Sequence, residues 1–388
     1  MKAFGLAATP QVYFGAGLIS VAPTVLETYG KKIVLVTGAH SFLSSTPGQT
    51  LLEQLHQKHF SVEIYKIPGE PTPAVIDTAV TKFSAYEPDA VLAIGGGSVL
   101  DAGKAIAAML VLGEPVVQYL EGVGTKSHPG TTLPFVAVPT TAGTGSEATK
   151  NAVLSETGAQ GFKKSLRHNN FVPKTAILDP TLTLHCPPAI TAASGMDAFT
   201  QLLESYLSTA ANPVTDALAL EGLKRIAVAL PKAFREGTDV EDRADMMLAA
   251  YLSGITLANA GLGLVHGFAS AVGGYFNIPH GVICSALMTA ANRVTVRKLR
   301  ATQANEQALT KYATVGKLFS ALPGKTSDYY TDFLLDLIAT WSTQMTIPTL
   351  SQNGITPQDF PKILSASDNK NNPIALTPEE MTEVLQNS

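Results

Sequence analysis

The chain has 388 residues, 45% of them apolar and 15% charged, with a formal net charge of -4, a composition that describes a globular protein with a large buried core. The sequence pI near 6.1 and the lack of a basic footprint exclude nucleic acid as a partner and leave small-molecule chemistry. The only cysteines, Cys186 and Cys284, exclude a disulfide framework and an all-cysteine zinc site, which fits a reducing cytoplasm, and the N-terminal apolar run is too short for a signal peptide.

The length predicts two domains. Residues 3–14 hold two short strand-like pieces around Thr9-Pro10, read as an edge hairpin. Lys32-Ile-Val-Leu-Val-Thr37 is a continuous apolar, β-branched run of the kind found in buried parallel strands. A helix at 47–58, a strand at 61–67, a helix at 73–85 and a strand at 89–94 follow, with further strands at 134–139 and 175–179. Strand and helix in alternation predict a parallel α/β sheet. After Pro187-Pro188 the periodicity turns helical, at 189–208, 213–234, 240–260 and onward. The expected fold is therefore α/β plus all-α: a parallel-sheet α/β domain over 1–182 followed by an all-helical domain over 183–388.

From Met246 to Asn292 there is no Asp, Glu, Lys or Arg, a length that invites a membrane-spanning reading. Asn259, His266, Asn277, His280 and many glycines interrupt it, and unpartnered polar groups are costly in hydrocarbon. No membrane partner is expected, and these are read as helices buried inside a protein core.

Two loops carry the nucleotide signal. Gly95, Gly96 and Gly97 follow a strand and open Ser98-Val-Leu-Asp101-Ala-Gly-Lys104, a helix whose free N–H groups and dipole suit a pyrophosphate. Pro139-Thr140-Thr141-Ala-Gly143-Thr144-Gly145-Ser146-Glu147 also follows a strand and brings hydroxyls and small residues. Taken singly, the first is equally a glycine turn and the second a helix cap. Together they place a cofactor at the carboxyl ends of the sheet. The end of the first strand, Val36-Thr37-Gly38-Ala39-His40-Ser41, also faces the cofactor but has no carboxylate to repel a 2′-phosphate, so NADP(H), or dual NAD(P)(H) use, is expected.

The second half carries a possible metal site. Gln201 lies four residues after Asp197, on the same helical face, and His266 in Gly263-Leu-Val-His266 and His280 in Ile278-Pro-His280-Gly281 approach from the chain that follows. A carboxylate, an amide and two imidazoles around one point suit Fe(II) or Zn(II). His266 alone reads equally well as a satisfied core histidine and His280 as a turn residue, whereas a carboxylate at Asp197 in an apolar helix requires a partner.

These motifs, in this order and over nearly the whole chain, resemble the iron-dependent (group III) alcohol dehydrogenase family. The resemblance implies a dehydroquinate-synthase-like fold, in which residues 1–182 are a nucleotide-binding domain and 183–388 a metal-binding and substrate domain with the active site between them, hydride transfer between NAD(P)(H) and a small primary alcohol or aldehyde, and a homodimer or higher homo-oligomer. It also implies that Asp197, His266 and His280 are metal ligands and catalytic, that Gly38, Gly95, Gly96, Gly97, Ser98, Asp101, Thr140, Thr141, Thr144 and Ser146 bind cofactor, and that Asn151 lines the substrate pocket. The chain departs from the family twice: Gln201 stands where the fourth ligand is usually histidine, and Ser270 stands where a second histidine usually follows His266. Those departures keep open a metal-independent reductase of an activated keto acid like maleylacetate reductase; a non-enzymatic nucleotide-binding protein is the remaining alternative. Phe268, Tyr275 and Phe276 are candidates for an apolar pocket wall, with packing in the core as the ordinary alternative.

Overall fold

The computed structural model describes residues 3–388. Its first half is built as β1 (Gln11–Phe14), α1 (Ala22–Glu27), β2 (Lys32–Gly38), α2 (Thr46–Gln57), β3 (Ser61–Ile67), α3 (Pro73–Phe83), β4 (Ala90–Gly95), α4 (Gly97–Met109), β5 (Phe135–Pro139), β6 (Asn151–Glu156), β7 (Phe162–Arg167) and β8 (Thr175–Leu178). Six of these strands form one parallel sheet in the order β1-β8-β5-β4-β2-β3. Every residue of β4 and β5 is buried, as expected of central strands covered by helices on both faces. Val34, Val36, Val91 and Ala93 face α3 and α4 on one side; Ile33, Leu35, Leu92 and Ile94 face α1 and α2 on the other.

The strand order reverses between β2 and β4. The chain leaves β2 for β3 on one side and leaves β4 for β5 on the other. Such a switch point opens a crevice at the strands' carboxyl ends, where nucleotides bind in open α/β sheets. Gly38 and Gly95 sit there, one residue beyond the Thr37–Ile94 pair of the ladder.

Two features of this half differ from expectation. Among the described residues no hairpin forms before residue 15: β1 is a strand paired in parallel with β8. Pro10 has no N–H to give a ladder, and the partner lies far along the chain, where no local pattern reveals it. The second difference is the antiparallel hairpin of β6 and β7, running from Asn151 opposite Arg167 to Glu156 opposite Phe162. Its second strand, Phe-Lys-Lys-Ser-Leu-Arg, carries three cations and lacks the apolar run that marks the other strands.

The second half comprises α5 (Pro188–Leu207), α6 (Pro213–Arg235), α7 (Val240–Ala260), α8 (Leu264–Tyr275), α9 (His280–Thr302), α10 (Glu306–Phe319), α11 (Ser327–Gln344), α12 (Phe360–Ala366) and α13 (Pro378–Gln386). Their starts are legible. Asn212 caps α6 by accepting from Val214 N and Thr215 N, with Pro213 at the first helical position, and Asp239 caps α7 through Glu241 N and Asp242 N. Among the described residues no single helix is long and apolar enough to cross a membrane; α7 and α8 pass that test only together and are bent by 99° at their break. The uncharged stretch lines the helical core, where Met246, Ala249, Leu264, Phe268 and Val272 are buried.

Candidate metal and cofactor site

The centre is assembled from three helices. Asp197 lies in the middle of α5 and is 1% exposed, His266 is in the first turn of α8, and His280 is the first residue of α9 rather than a loop residue. Pro279 immediately before it fixes the entry of the chain into α9. His266 Nε2 lies 3.4 Å from Asp197 Oδ1, and His280 Nε2 lies 3.8 Å from the same oxygen. That oxygen, Oδ1, is buried and has no hydrogen-bond partner; His280 Nδ1 is in the same condition. A buried carboxylate oxygen with no hydrogen bond is costly unless something positive faces it, and either an imidazolium at His266, 3.4 Å away, or a cation among the three side chains supplies that charge.

The side chains around the centre are fixed from behind. His266 Nδ1 meets Glu204 Oε2 at 2.7 Å, while Val265 N donates to Glu204 Oε1 at 2.6 Å. Glu204 thereby sets the ring so that Nε2 faces Asp197, and its charge lies at the N-terminus of α8, where the helix dipole favours it. Glu204 is absent from the residues expected from sequence. A signal for it exists, because Asp197, Gln201 and Glu204 stand at i, i+4 and i+7 on one face of α5.

Gln201, expected as a ligand, lies beside Asp197. Its Nε2 donates to Asp197 Oδ2 at 2.9 Å, and its Oε1 accepts from Ser253 Oγ at 2.7 Å. The amide is therefore occupied at both ends, and it anchors the Asp197 carboxylate through the oxygen that faces away from the histidines. The thiol of Cys284, one turn after His280, is buried 3.7 Å from both His266 Nε2 and His280 Nε2. Ser270 Oγ donates to the His266 carbonyl of its own helix. Phe268 is fully buried in the helical core, and the half-buried Tyr275 and Phe276 lie under Lys362 Nζ, at 5.5 and 4.5 Å.

The charges of the centre are interdependent. Burial alone would raise the Asp197 carboxyl, but His280 and His266 outweigh it and hold it below the usual carboxylate range. Burial likewise opposes an imidazolium at His266, yet Cys284, Asp197 and Glu204 together hold it well above its ordinary value. His280 is pushed down to about 4 by burial, and burial lifts the Cys284 thiol to about 11. The cluster attracts positive charge.

On the nucleotide side, Gly96, Gly97 and Ser98 open α4 half-exposed at the end of β4, with Thr140, Thr141 and Thr144 beside them at the end of β5. The two loops abut so closely that a Cβ on Gly97 would lie 2.6 Å from Thr144 Cγ2. Asp101 and Ser146 belong to the framework under the cradle. Ser146 Oγ donates to Asp101 Oδ1, and Val153 N donates to Asp101 Oδ2 at 3.1 Å. Lys104, 1% exposed, ties the second loop to α4 by donating to the Ser146 carbonyl at 2.8 Å, Thr149 Oγ1 at 3.1 Å and the Asn151 carbonyl at 2.8 Å. Burial brings Lys104 down to about 8 and lifts Glu147 beside it to about 7. Asn151, half-buried, begins β6.

The nucleotide loop and the centre meet across α7. Gly145, at φ +63°, lies against Gly254: a Cβ on Gly254 would stand 2.3 Å from the Gly145 carbonyl oxygen. One residue earlier, Ser253 Oγ is 2.7 Å from Gln201 Oε1 and 3.5 Å from the Gly143 carbonyl.

The chain is similar to known proteins over most of its length. Alcohol dehydrogenase 4 of Saccharomyces cerevisiae is 36% identical over 281 residues, 72% of each chain, and the NAD-dependent methanol dehydrogenase of Bacillus methanolicus is 36% identical over 282 residues, also 72% of each. The solved structure of a 1,3-propanediol oxidoreductase superposes with a TM-score of 0.88 at 30% identity and covers 99% of both chains. The iron-containing alcohol dehydrogenase profile matches residues 9–180, and the C-terminal profile of the Fe-containing alcohol dehydrogenase family matches residues 191–388. Sheet, helices and both profiles agree from end to end, and the chain belongs to the iron-containing alcohol dehydrogenase family with its dehydroquinate-synthase-like fold.

Proposed function

We propose that the chain performs its family's oxidoreduction, between NAD(P)(H) and a small primary alcohol or aldehyde, at a divalent-metal centre held by Asp197, His266 and His280. The observation that carries this reading is Asp197 Oδ1, buried without a partner and flanked by two imidazole nitrogens at 3.4 and 3.8 Å. Carboxylate plus imidazole fits Fe(II) or Zn(II). When bound, the ion supplies Lewis-acid polarisation of a substrate oxygen and the nicotinamide supplies the hydride chemistry.

The protein's own groups do the positioning. Glu204 orients His266 through Nδ1, and Gln201 holds Asp197 through Oδ2, so that Oδ1 and Nε2 converge. Gly95, Gly96, Gly97 and Ser98 with Thr140, Thr141 and Thr144 form the pyrophosphate cradle, Gly38 sits at the switch point, and Asn151 borders the substrate space. The end of β2 carries no carboxylate after Gly38, which supports acceptance of a 2′-phosphate and hence dual cofactor use. Residues 1–182 and 183–388 act as the cofactor and metal domains. The exposed apolar residues Val12 and Phe14 on the edge strand β1, with Phe4 and Leu6 before it, support a homodimer formed through that edge.

The test is NADH and NADPH oxidation with a panel of short aldehydes, before and after chelation and after anaerobic reloading with Fe(II) or Zn(II). Activity is expected to vanish on stripping and to return with one of the ions. Asp197→Ala is expected to abolish turnover while leaving cofactor titration near that of the parent. Full activity after stripping would overturn the metal reading and favour a metal-independent keto-acid reductase.

A further inference from the structure

We propose that Cys284 is the fourth ligand of this centre, which makes the site an Asp-His-His-Cys set in place of one completed by Gln201; the inference rests on the metal reading above. Four donors, one each from Asp197, His266, His280 and Cys284, lie within 4.8 Å of one another. Four of the separations are known individually: 3.4 Å between His266 Nε2 and Asp197 Oδ1, 3.8 Å between His280 Nε2 and Asp197 Oδ1, and 3.7 Å from Cys284 Sγ to each imidazole Nε2.

Those separations are four of the six edges of a tetrahedron. Metal–nitrogen and metal–oxygen bonds of about 2.0–2.2 Å and a metal–sulfur bond of about 2.3 Å give nitrogen–oxygen edges of about 3.3–3.5 Å and nitrogen–sulfur edges of about 3.5–3.6 Å in a tetrahedral site. The observed nitrogen–oxygen spacings of 3.4 and 3.8 Å and nitrogen–sulfur spacings of 3.7 Å lie within ~0.3 Å of those edges. The two nitrogen–oxygen separations are too long for strong hydrogen bonds, and the thiol at 3.7 Å from each imidazole makes at most a weak hydrogen bond to one of them.

The alternative for Cys284 is that of any buried cysteine, a small apolar side chain packed in the core. Its position argues against that role. His280 and Cys284 stand at i and i+4, so both project from one face of α9 toward Asp197. The second observation is the unpartnered Asp197 Oδ1, 1% exposed and aimed into the same space. Gln201, by contrast, has both ends of its amide satisfied by Asp197 and Ser253.

Coordination by sulfur has a chemical consequence. The thiol binds as thiolate, with its proton released to solvent when the ion enters. A thiolate favours softer, thiophilic ions, so the site is expected to take Zn(II) and Co(II) in preference to Fe(II). No electron transfer is involved.

Cobalt is the probe. The full-length protein is stripped with chelator, loaded anaerobically with one equivalent of Co(II), and examined for bound cobalt by elemental analysis and for a near-ultraviolet thiolate-to-cobalt charge-transfer band. The expected result is one cobalt per chain with the band present, the band lost in Cys284→Ser and retained in Cys186→Ser. Zn(II) affinity of Cys284→Ser, measured by chelator competition, is expected to fall by more than ~100-fold, the upper end for a change behind a ligand. Stoichiometric cobalt without the band in the parent protein overturns the assignment of Cys284 and leaves the metal centre standing. Failure to bind cobalt, Zn(II) or Fe(II) at all overturns both. The parent spectrum decides the question even if the variants do not fold.

Discussion

Truncating Glu204 tests whether the centre is held from behind. In Glu204→Ala two short contacts disappear together, the one to His266 Nδ1 at 2.7 Å and the one from Val265 N at 2.6 Å. A hydrogen bond to a charged group contributes about 1.5–3 kcal/mol, so the pair contributes about 3–6 kcal/mol as an upper figure. The carboxylate adjoins a cavity of about 10 Å³ lined by Gly263, Leu264 and Val265 among others. Truncation enlarges that space enough for a water to enter and restore part of the bonding. The loss of stability in the metal-free protein is therefore placed at the lower end, about 3 kcal/mol. His266 also loses the partner that fixes its ring, and such changes weaken metal binding by about 10–100-fold. Glu204→Gln is no rescue, because its amide offers one acceptor to two donors. Urea unfolding of the stripped protein measures the first effect, and competition against a chromophoric chelator measures the second. Metal affinity of Glu204→Ala within threefold of the parent would show that the ring is oriented by something else and refute the reasoning.

Two other changes probe the nucleotide side. In Gly254→Ala the new Cβ would stand 2.3 Å from the Gly145 carbonyl oxygen and 3.0 Å from the Ala148 Cβ, so the loop is forced outward at a cost of about 1–3 kcal/mol; the expected outcome is a severalfold rise in cofactor KM with metal content unchanged, and an unchanged KM would sink the idea that α7 supports the loop. Glu147, buried and lifted from 4.5 to about 7, holds its proton more tightly folded than unfolded, so stability is highest below pH 4.5 as far as this group is concerned and falls as pH rises through 7. The difference of about 2.5 units corresponds to roughly 3 kcal/mol, and the contribution of Lys104, lowered to about 8, begins only above that window. His266 and His280 also titrate in this window but do so alike in both proteins, so the gap in urea midpoint between the parent and Glu147→Gln is expected to change from pH 5 to pH 8, and parallel curves would contradict the assignment.

Apart from β1 and the β6–β7 hairpin, the sequence alone determined the strand and helix alternation to within a few residues, because β2, β4 and β5 are buried on both faces and read as unbroken apolar runs, and because proline, asparagine and aspartate mark the starts of α6 and α7. It also singled out Asp197, His266 and His280, since a carboxylate and two histidines in an apolar setting need a common partner. Tertiary structure decided what surrounds them. Glu204 lies on the face that Asp197 marks, but only the packing of α8 against α5 turns it into the partner of His266. Gln201 stands where a donor is expected, yet Ser253 of α7 takes its oxygen and Asp197 its nitrogen, so its role depends on a helix some fifty residues away. The same holds for β1, whose partner β8 is equally remote. Cys284 shows the reverse: its spacing from His280 is local, whereas its closeness to His266 arises where α8 and α9 meet. Periodicity and turn chemistry act between neighbours in sequence, so they specify which face a side chain occupies. Which atom it meets there is fixed by long-range packing.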